Sequence, residues 1–393
     1  MNVFSRHFLH PRTKKRRGYV ENVLFCPNCS KKKETTARSY FVFVTQNYYF
    51  QNNEKKVTGN HFRVLKLNLF FFNSVVMATI MEAGLTSSVL MTCEPEWIGL
   101  KVNLFAFDFD GTCTQKDTTS LLYKATEKYQ SSTQAEIKAI DEQWSELGKK
   151  YWTGHLEVVA SSLSAHADPD MSAFDEKGLR SFLQEVYKFD LKMTKEVEAS
   201  EILKGISKEG IKEVAKEVKL NPGCLNVLNH INLPLHLISV NWCQDLIHAN
   251  LGHLRHLSIF ANSLPLDGEL SSGIIGKKLR SAFDKETILQ DLVRNRSLDG
   301  SDGISVFVGD SIGDILALLK SDVGIVIGKS HTLRKVAKSF GIKLLPLQEI
   351  QKVTRNGCHE QAIPKQKGVL FEAPSWNEIG FTLFGTRYTP NKF

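Results

Sequence analysis

From about residue 100 to residue 350, short apolar runs of strand length alternate with longer amphipathic stretches. The stretches place their apolar residues at three- and four-residue intervals, which is typical of helices packed on a sheet. Such alternation predicts an α/β fold whose central sheet is parallel. The predicted strands are Leu104–Phe107, Leu235–Ser239, Val306–Val308, Gly324–Ile327 and Ile342–Leu345.

The segment between the first two predicted strands is far longer than a simple crossover needs. Residues 118–221 are dominated by helical patterns such as "AEIKAIDEQWSELGKKYW", and "NPGC" at 221–224 marks the return to the sheet. We therefore predict a Rossmann-like parallel sheet with helices on both faces and an inserted all-helical cap subdomain. The core domain then comprises residues 100–117 and 222–350, the cap residues 118–221, and the C-terminal tail residues 351–393, in which "SWNEIGFTLFG" is expected to dock as a closing helix.

Residues 1–99 form an N-terminal extension of different composition. Residues 1–76 carry 14 Lys and Arg against 3 Asp and Glu, whereas residues 77–393 carry 36 against 39. The main body is therefore mildly acidic, and we predict no nucleic-acid partner for it. Three interpretations of the extension stay open: a mitochondrial or plastid presequence, a nuclear signal at Lys14–Arg17, or a true start at Met77 or Met81 that leaves a cytoplasmic protein.

The seven cysteines are odd in number and widely scattered, so no small disulfide framework is expected and a reducing compartment is favoured. The "CPNC" pair at residues 26–29 lacks two further ligands at a spacing typical of zinc modules. No apolar run reaches the roughly 18–20 residues that a membrane-spanning helix needs. The oligomeric state is not predicted by these patterns.

Two aspartates end the first predicted strand, in "NLFAFDFDGT" at residues 103–112. Side chains two apart in an extended segment point to the same side, so Asp108 and Asp110 can face one cavity. Two carboxylates about 4 Å apart repel by roughly 4 kcal/mol at an effective dielectric of 20, so the pair requires a cation or a shared proton. The alternative is an Asx-type turn with solvated aspartates.

Further polar residues follow two of the other predicted strands, and one more stands at the start of a helix. "FVGDSIGDI" at residues 307–315 presents Asp310 and Asp314 at a strand-to-helix turn, although helix capping is the ordinary role of such residues. Ser239 closes the second strand, and Lys285 in "SAFDKETIL" stands in a first helical turn that otherwise favours acids. Ligands bind at the carboxyl ends of parallel strands, so these groups indicate one site. Clustered carboxylates predict Mg²⁺ as the cofactor.

This ordered set of motifs resembles the haloacid dehalogenase-like (HAD) hydrolase superfamily, in its helical-cap subclass. The matching residues are "DFDGT" at 108–112, Ser239 after "HLI", Lys285, and "GDSIGD" at 309–314. More narrowly, "DFDGTCT", "SVNWCQDLI", "IFANSL", "FDKETIL" and "VGDSIGDILALL" resemble the phosphatase half of plant bifunctional thiamine-salvage proteins, where a TenA-type domain precedes the HAD domain. Here the residues upstream are too few for a TenA domain, so only the phosphatase activity is expected.

The resemblance implies roles for these residues. Asp108 is the expected nucleophile, giving an aspartyl-phosphate, and Asp110 the expected general acid and base. The expected metal set is Asp108, Asp110 (through its backbone carbonyl), Asp310 and Asp314, the last orienting the cluster. The expected phosphate-binding residues are Ser239, Asn241, Lys285 and Thr112. Dehalogenases of the superfamily lack an aspartate at the second position, which favours phosphate-ester hydrolysis.

The expected substrate is a small-molecule phosphate monoester, with thiamine monophosphate as the narrow expectation. Phosphoserine, pyridoxal phosphate or a sugar phosphate remain alternatives, as does a non-catalytic interaction protein of the same fold. Trp144, Tyr151, Trp152 and Trp242 are candidates to stack on an aromatic ring of the substrate, with core packing as the competing interpretation of each. Glu157 or Asp117 could meet a positive charge on that ring, and the sequence does not choose between them.

Overall fold

The computed structural model describes residues 41–43, 64–66, 99–167, 173–298, 302–350 and 366–389. The chain divides into two units, Met1–Thr92 and Cys93–Phe393. In the first unit, strands β1 (Phe41–Phe43) and β2 (Val64–Lys66) pair antiparallel. The signals considered at Lys14–Arg17, at residues 26–29 and at Met77 and Met81 lie outside the described residues.

A parallel sheet of seven strands forms the centre of the second unit, in the order β10-β11-β9-β8-β3-β4-β5. This confirms the predicted α/β class, and all five predicted strands are present. The short strands β6 and β7 form a separate antiparallel hairpin. The strands of this unit are β3 (Val102–Phe107), β4 (Leu235–Ile238), β5 (Leu257–Phe260), β6 (Leu266–Asp267), β7 (Leu270–Ser271), β8 (Ile304–Gly309), β9 (Val323–Ile327), β10 (Lys343–Pro346) and β11 (Val369–Ala373).

Both faces of the sheet are buried, because alternate residues of each central strand enter different hydrophobic clusters. In β3, Phe105 and Phe107 belong to one cluster, whereas Leu104 and Ala106 belong to the other. A strand that is buried on both faces appears in the sequence as a continuous hydrophobic run. This run is the reason why β3 could be predicted from the sequence. The polar residues that follow such a run therefore mark its end.

Helices cover both faces of this sheet, as predicted. Helices α5 and α10 pack on the first face of the sheet. Helices α7, α8 and α9 pack on the second face, together with the ends of α2 and α3. Among the described helices, none combines the length and apolar character needed to cross a bilayer. The helices are α1 (Glu127–Ser131), α2 (Gln134–His166), α3 (Glu176–Ala199), α4 (Lys208–Ala215), α5 (Cys224–His230), α6 (Gln244–Leu251), α7 (Ala282–Leu298), α8 (Ile315–Lys320), α9 (His331–Ser339) and α10 (Trp376–Phe384).

A helical insertion, comprising α1 to α4, lies between β3 and β4 in the chain. Its outgoing and returning connections pair with each other, since Thr114 and Leu220 form an antiparallel bridge and the Gln115 amide donates to the Lys219 carbonyl at 2.8 Å. The insertion contributes residues such as Leu122, Leu203 and Val214 to a hydrophobic cluster that also contains Leu246 of α6 and Ile275. It is therefore a compact layer joined to the sheet beside the end of β3.

The β6–β7 hairpin holds the insertion from the other side, which the sequence did not predict. The Ser271 hydroxyl donates to the Leu203 carbonyl and accepts from the Ile206 amide at 2.8 Å. Glu198 of α3 accepts from the Ile275 amide at 2.9 Å and from Lys277 at 2.7 Å. The insertion thus has a second attachment, distant in sequence from its two connections.

The C-terminal region is not a tail, so the assignment of residues 351–393 needs correction. Val369–Ala373 is a strand inside the sheet, between β9 and β10, and Trp376–Phe384 forms the expected closing helix. Trp376 is fully buried, and its indole donates to the Thr112 carbonyl at 2.9 Å. The strand was missed because the run "VLFEA" is short and stands apart from the regular alternation before it.

Candidate active site

Three adjacent strands bring the sequence motifs to one edge of the sheet. β3 lies between β8 and β4, so Asp108, Ser239 and Asp310 each follow the end of a neighbouring strand. The Asp108 amide donates to the Val308 carbonyl at 3.0 Å, which fixes the two strand ends together. The convergence inferred from the carboxyl ends of parallel strands is present.

Three carboxylates form the centre of this edge. Asp108, Asp310 and Asp314 each offer a carboxylate oxygen, and the three oxygens lie within 4.8 Å of one another. Asp108 is 4% exposed and Asp314 is fully buried. Like charges this close inside a protein repel strongly unless a positive charge lies among them.

Lys285 supplies part of that positive charge. Its ammonium lies 2.8 Å from Asp108 Oδ1 and 2.7 Å from Asp314 Oδ1, and the side chain is 1% exposed. The contact with Asp314 is an aligned hydrogen bond, whereas the contact with Asp108 is an ion pair of poor angle that leaves this buried oxygen without an aligned donor. Asp108 Oδ1 therefore retains capacity for another ligand.

The pKa values show that one lysine does not neutralise the cluster. Burial raises the pKa of Asp108 to about 7, against the opposing effect of Lys285. Burial, followed by the charges of Asp314 and Asp108, raises the pKa of Asp310 to about 8. Burial alone would lower the pKa of Lys285, but Asp108 and Asp314 outweigh it and raise that pKa. Two buried acids and one half-buried acid with a single cation among them fit a divalent ion with oxygen ligands.

Asp314 is held on every side and so acts as an anchor. Its Oδ2 accepts from the amides of Asp310 and Ser311 at 3.2 and 3.0 Å and from the Ser311 hydroxyl at 3.0 Å. These bonds fold the "GDSIGD" turn around one carboxylate. Asp310 then faces Gly111, where φ is +71° and an added Cβ would collide with the Asp310 carboxylate. Glycine at this position is required both by the backbone conformation and by the close approach.

Asp110 lies outside the three-carboxylate group, because its side chain is bound elsewhere. Its Oδ1 accepts from the amide and the hydroxyl of Thr118 at 2.7 Å each, and its Oδ2 accepts from Asn241 at 2.7 Å. Burial, followed by the charge of Asp117, raises the pKa of Asp110 to about 6 against these hydrogen bonds. Asp110 is therefore fixed at the junction of the sheet edge with the insertion.

Two of the expected phosphate-binding residues have other contacts. The Asn241 amide group donates to Asp110 and, at 3.0 Å, to Thr118, so both of its hydrogens are used. The Thr112 hydroxyl donates to Asp310 Oδ1 at 3.3 Å, and Thr112 is fully buried. Both side chains therefore position carboxylates, which spacing alone could not distinguish from binding phosphate.

Ser239 keeps its hydroxyl hydrogen available. The Ser239 Oγ accepts from the Asn241 amide at 3.2 Å, and the residue is 1% exposed at the end of β4. An oxygen that accepts here can still donate its own proton to another group.

Sequence reasoning missed three residues that hold the loop after Asp108. Asn221 donates to the carbonyls of Thr112 and Thr114 at 2.8 and 3.0 Å, Thr118 binds Asp110, and Trp376 binds the Thr112 carbonyl. Asn221 lies in the "NPGC" stretch that was interpreted only as a turn. No local pattern pairs these residues with the loop, because their partners lie up to 264 positions away.

The aromatic candidates separate into two groups. Trp144 of the insertion stacks on Tyr123 with centroids 5.1 Å apart, and Trp242, which follows β4, packs against the same hydrophobic cluster, so both have a core-packing role. Tyr151 contacts Trp152 at 5.5 Å, and Trp152 remains 61% exposed. Of the two acidic candidates, Glu157 is exposed, whereas Asp117 precedes the Thr118 that binds Asp110.

No family model matches the chain. The chain is 31% identical over 296 residues to a protein of Arabidopsis thaliana named "Bifunctional TH2 protein, mitochondrial", an alignment that covers 69% of this chain and 48% of the relative. The chain thus spans about half the length of that relative. It is also 22% identical over 296 residues to a CTO1 family protein of Schizosaccharomyces pombe, covering 70% of this chain and 97% of that one.

Solved structures with a similar arrangement include a phospho-aspartyl intermediate analogue of phosphoserine phosphatase, at 15% identity and a TM-score of 0.39, covering 72% of this chain and 99% of that one. Another is cytosolic 5'-nucleotidase IIIB bound to cytidine, at 16% identity and a TM-score of 0.38, covering 62% and 80%. A third is a HAD family hydrolase of Salmonella enterica, at 18% identity and a TM-score of 0.36, covering 60% and 66%.

Proposed function

We propose that the chain is a HAD-type phosphatase, which hydrolyses a small-molecule phosphate monoester with the help of Mg²⁺. The observation that carries the proposal is the buried edge where Asp108 lies among Asp310, Asp314 and Lys285. Phosphoryl transfer depends mainly on positioning and on neutralising charge, and this edge provides groups for both.

Asp108 is the proposed nucleophile. One of its oxygens forms the bond to phosphorus while the ester oxygen leaves, which gives an aspartyl-phosphate that water then hydrolyses. Its burial between β8 and β4 supports this role, because the carboxylate is desolvated and held at a strand end. Lys285 keeps it ionised enough to attack by lying 2.8 Å away.

Asp110 is the proposed general acid and base. A carboxyl group with a pKa of about 6 can be protonated when the ester oxygen leaves and can accept a proton from the attacking water afterwards. Thr118 and Asn241 hold it in place through hydrogen bonds of 2.7 Å. In this proposal Asn241 is therefore a positioning residue.

Asp108 and Asp310 would hold the metal with the Asp110 backbone carbonyl, and Asp314 and Thr112 would orient Asp310. Bound there, Mg²⁺ would offset the charge of the phosphoryl oxygens. The hydroxyl of Ser239 and the ammonium of Lys285 would bind those oxygens directly. The unaligned buried oxygen of Asp108 supports this assignment, since a cation would complete its contacts.

Thiamine monophosphate is the proposed substrate. Support comes from the five sequence segments that resemble the phosphatase half of thiamine-salvage proteins and from the similarity to the Arabidopsis protein. The name of that protein includes the word "mitochondrial", and residues 1–19 here are basic and free of acids, so we propose an organellar location as well.

A panel of phosphate esters tests the activity and the substrate together. Phosphate release would be measured with Mg²⁺ and with EDTA on thiamine monophosphate, phosphoserine, pyridoxal phosphate, a sugar phosphate and p-nitrophenyl phosphate. We expect Mg²⁺-dependent turnover with the largest kcat/KM on thiamine monophosphate. A larger kcat/KM on another ester would keep the phosphatase and change its substrate. A protein inert on every ester would instead favour a non-catalytic interaction protein.

A further inference from the structure

A buried acid directly follows Lys285 in the chain and has no part in the chemistry described so far. Glu286 is 7% exposed, and its two carboxylate oxygens accept from the two terminal nitrogens of Arg180, at 2.9 and 2.6 Å. Such a paired contact fixes the orientation of both groups as well as their distance, because the planar guanidinium matches the carboxylate. It joins α3 of the insertion to α7, the helix that carries Lys285 to the catalytic edge.

Three consecutive side chains at the start of α7 bind in three different directions, since successive residues of a helix point about 100° apart. Asp284 accepts from the Arg280 amide at 2.8 Å and from the Ser281 hydroxyl at 3.0 Å, which closes the start of the helix. Lys285 extends to the carboxylates of the catalytic edge, and Glu286 extends to α3. The start of α7 therefore cannot rotate about its axis without breaking one of these contacts.

Helix α3 provides a fixed support for this ion pair. Leu179 and Leu183, on either side of Arg180, belong to the same hydrophobic cluster as Leu104 of β3 and Phe307 of β8. These are the two strands that end at the catalytic edge with the proposed nucleophile and the proposed metal ligand. The guanidinium that holds α7 is thus anchored to the sheet that holds the carboxylates.

A second contact aligns the segment before Lys285 with α3. The Arg280 guanidinium lies over the Tyr187 ring, 6.0 Å from its centroid, a distance at which a cation and an aromatic face attract each other. Between the two contacts, Leu279 and Ala282 share the hydrophobic cluster of Val186. Residues 279–286 consequently run along two turns of α3, and both ends of the segment are attached.

We propose that the Arg180–Glu286 ion pair positions Lys285 for phosphate binding, by fixing the rotation of α7 about its axis. At the radius of about 5.5 Å that helical side chains reach, a rotation of about 20° would displace the lysine ammonium by about 2 Å. Displacements of about 1 Å can lower a rate about 100-fold. The inference rests on the proposed phosphatase function. Arg180 and Glu286 are positioning residues, because they act through Lys285.

A double variant, Arg180→Met with Glu286→Met, tests the proposal without leaving an unpaired buried charge. We expect kcat/KM to fall about 10- to 100-fold, and by the same factor for every ester, since Lys285 binds the phosphoryl half that all esters share. The inhibition constant of inorganic phosphate should rise about 10-fold. Arg180→Lys, which keeps the charge but loses the paired contact, should recover only part of the loss. A loss confined to one ester would overturn the proposal.

The matched control is Glu185→Met with Lys188→Met. It removes an exposed ion pair of 2.8 Å from the same helix and changes the same two kinds of charge. We expect kcat/KM and the inhibition constant of phosphate to stay within about 2-fold of the wild type, because surface ion pairs contribute little. Thermal melting of both double variants shows whether they are folded. Equal losses in the two would overturn the proposal.

Two measurements show whether the ion pair acts through Lys285. In a Lys285→Met background, adding Arg180→Met and Glu286→Met should not raise the inhibition constant of phosphate further; a further 10-fold rise would overturn the proposal. If Lys285→Met does not fold, a crystal structure of the double variant decides. It should show the Lys285 ammonium displaced by about 2 Å from its place between Asp108 and Asp314. An unmoved ammonium would contradict the proposal.

A binding measurement separates this inference from the phosphatase proposal. Inorganic phosphate with Mg²⁺ should raise the melting temperature of the wild type and raise it less in the Arg180→Met, Glu286→Met variant. If no ester is hydrolysed but this difference is seen, the phosphatase proposal fails and the positioning role stands. If both proteins hydrolyse esters equally well, the positioning role fails alone. If phosphate stabilises neither protein, both proposals fail.

Discussion

The catalytic edge and the space between helices α2 and α3 differ in how their acids are held. At the edge, Asp108, Asp310 and Asp314 follow adjacent strands, and Lys285 joins two of them within 2.8 Å. Between helices α2 and α3, the Asp190 side chain instead accepts one hydrogen bond of 3.3 Å, from the Tyr151 hydroxyl. The edge is therefore built by the backbone of the sheet, whereas Asp190 is held by a side-chain contact between two helices.

The largest expected effect falls on the edge. Asp108→Asn should lower kcat by about 10⁴-fold or more, because the proposed nucleophile is lost while the shape of the side chain is kept. Since the change also removes a desolvated charge, the melting temperature should stay the same or rise. Phosphate release from p-nitrophenyl phosphate with Mg²⁺ is the measurement, and Asp302→Asn, at an exposed ion pair with Lys101, is the matched control.

Lys285→Met should affect both stability and activity. It leaves Asp108 and Asp314 buried without their shared cation, which costs about 3–5 kcal/mol in the free energy of unfolding. Denaturant unfolding measures this loss, and Lys278→Met, at an exposed position, should change stability little. Mg²⁺ should recover more stability in Lys285→Met than in the wild type. Equal effects of the two lysine substitutions would contradict the account of the edge.

Metal binding should depend on the carboxylates of the edge and not on Asp190, which lies between α2 and α3. Millimolar Mg²⁺ should raise the melting temperature of the wild type by a few degrees, since a ligand that binds only the folded state stabilises it. The shift should disappear in Asp310→Asn and persist in Asp190→Asn. A shift that persists in both variants would place the metal elsewhere.

The smallest effect distinguishes two tryptophans of the insertion. Trp144→Ala should lower the free energy of unfolding by about 2 kcal/mol, because its ring stacks on Tyr123 within a hydrophobic cluster. Trp152→Ala should change it by less than about 0.5 kcal/mol, since that side chain is mostly exposed. Chemical denaturation of the two variants provides the measurement. A reversed order would mean that Trp152 has a structural role.

The catalytic edge could be predicted from the sequence because the strands that lead to it are short apolar runs, whose ends are easy to recognise. Leu104–Phe107 and Val306–Val308 are apolar runs, and the acids that follow them must lie at strand ends. The residues that hold the loop of those acids in place through hydrogen bonds could not be predicted in the same way. Asn221, Thr118 and Trp376 reach the Asp108 loop through tertiary contacts that leave no local pattern.

The strands β5 and β11 and the acid Asp190 were also missed. Leu257–Phe260 and Val369–Ala373 lie in less regular parts of the pattern and are recognisable only once their neighbours in the sheet are known. Asp190 follows the amphipathic stretch "LRSFLQEVYKF". In such a stretch, the sequence does not distinguish a partly buried acid from an acid on the solvent-exposed face of the helix. Its side-chain hydrogen bond comes from Tyr151, which is 39 positions away.

Trapping of the covalent intermediate tests directly whether Asp108 is the nucleophile. The enzyme would be mixed with Mg²⁺ and a phosphate ester labelled in its phosphoryl group, quenched in acid, digested and analysed by mass spectrometry. The account predicts a phosphoryl group on Asp108 in the wild type and none in Asp108→Asn. Turnover by the wild type without any label on Asp108, or a label on a different residue, would contradict it.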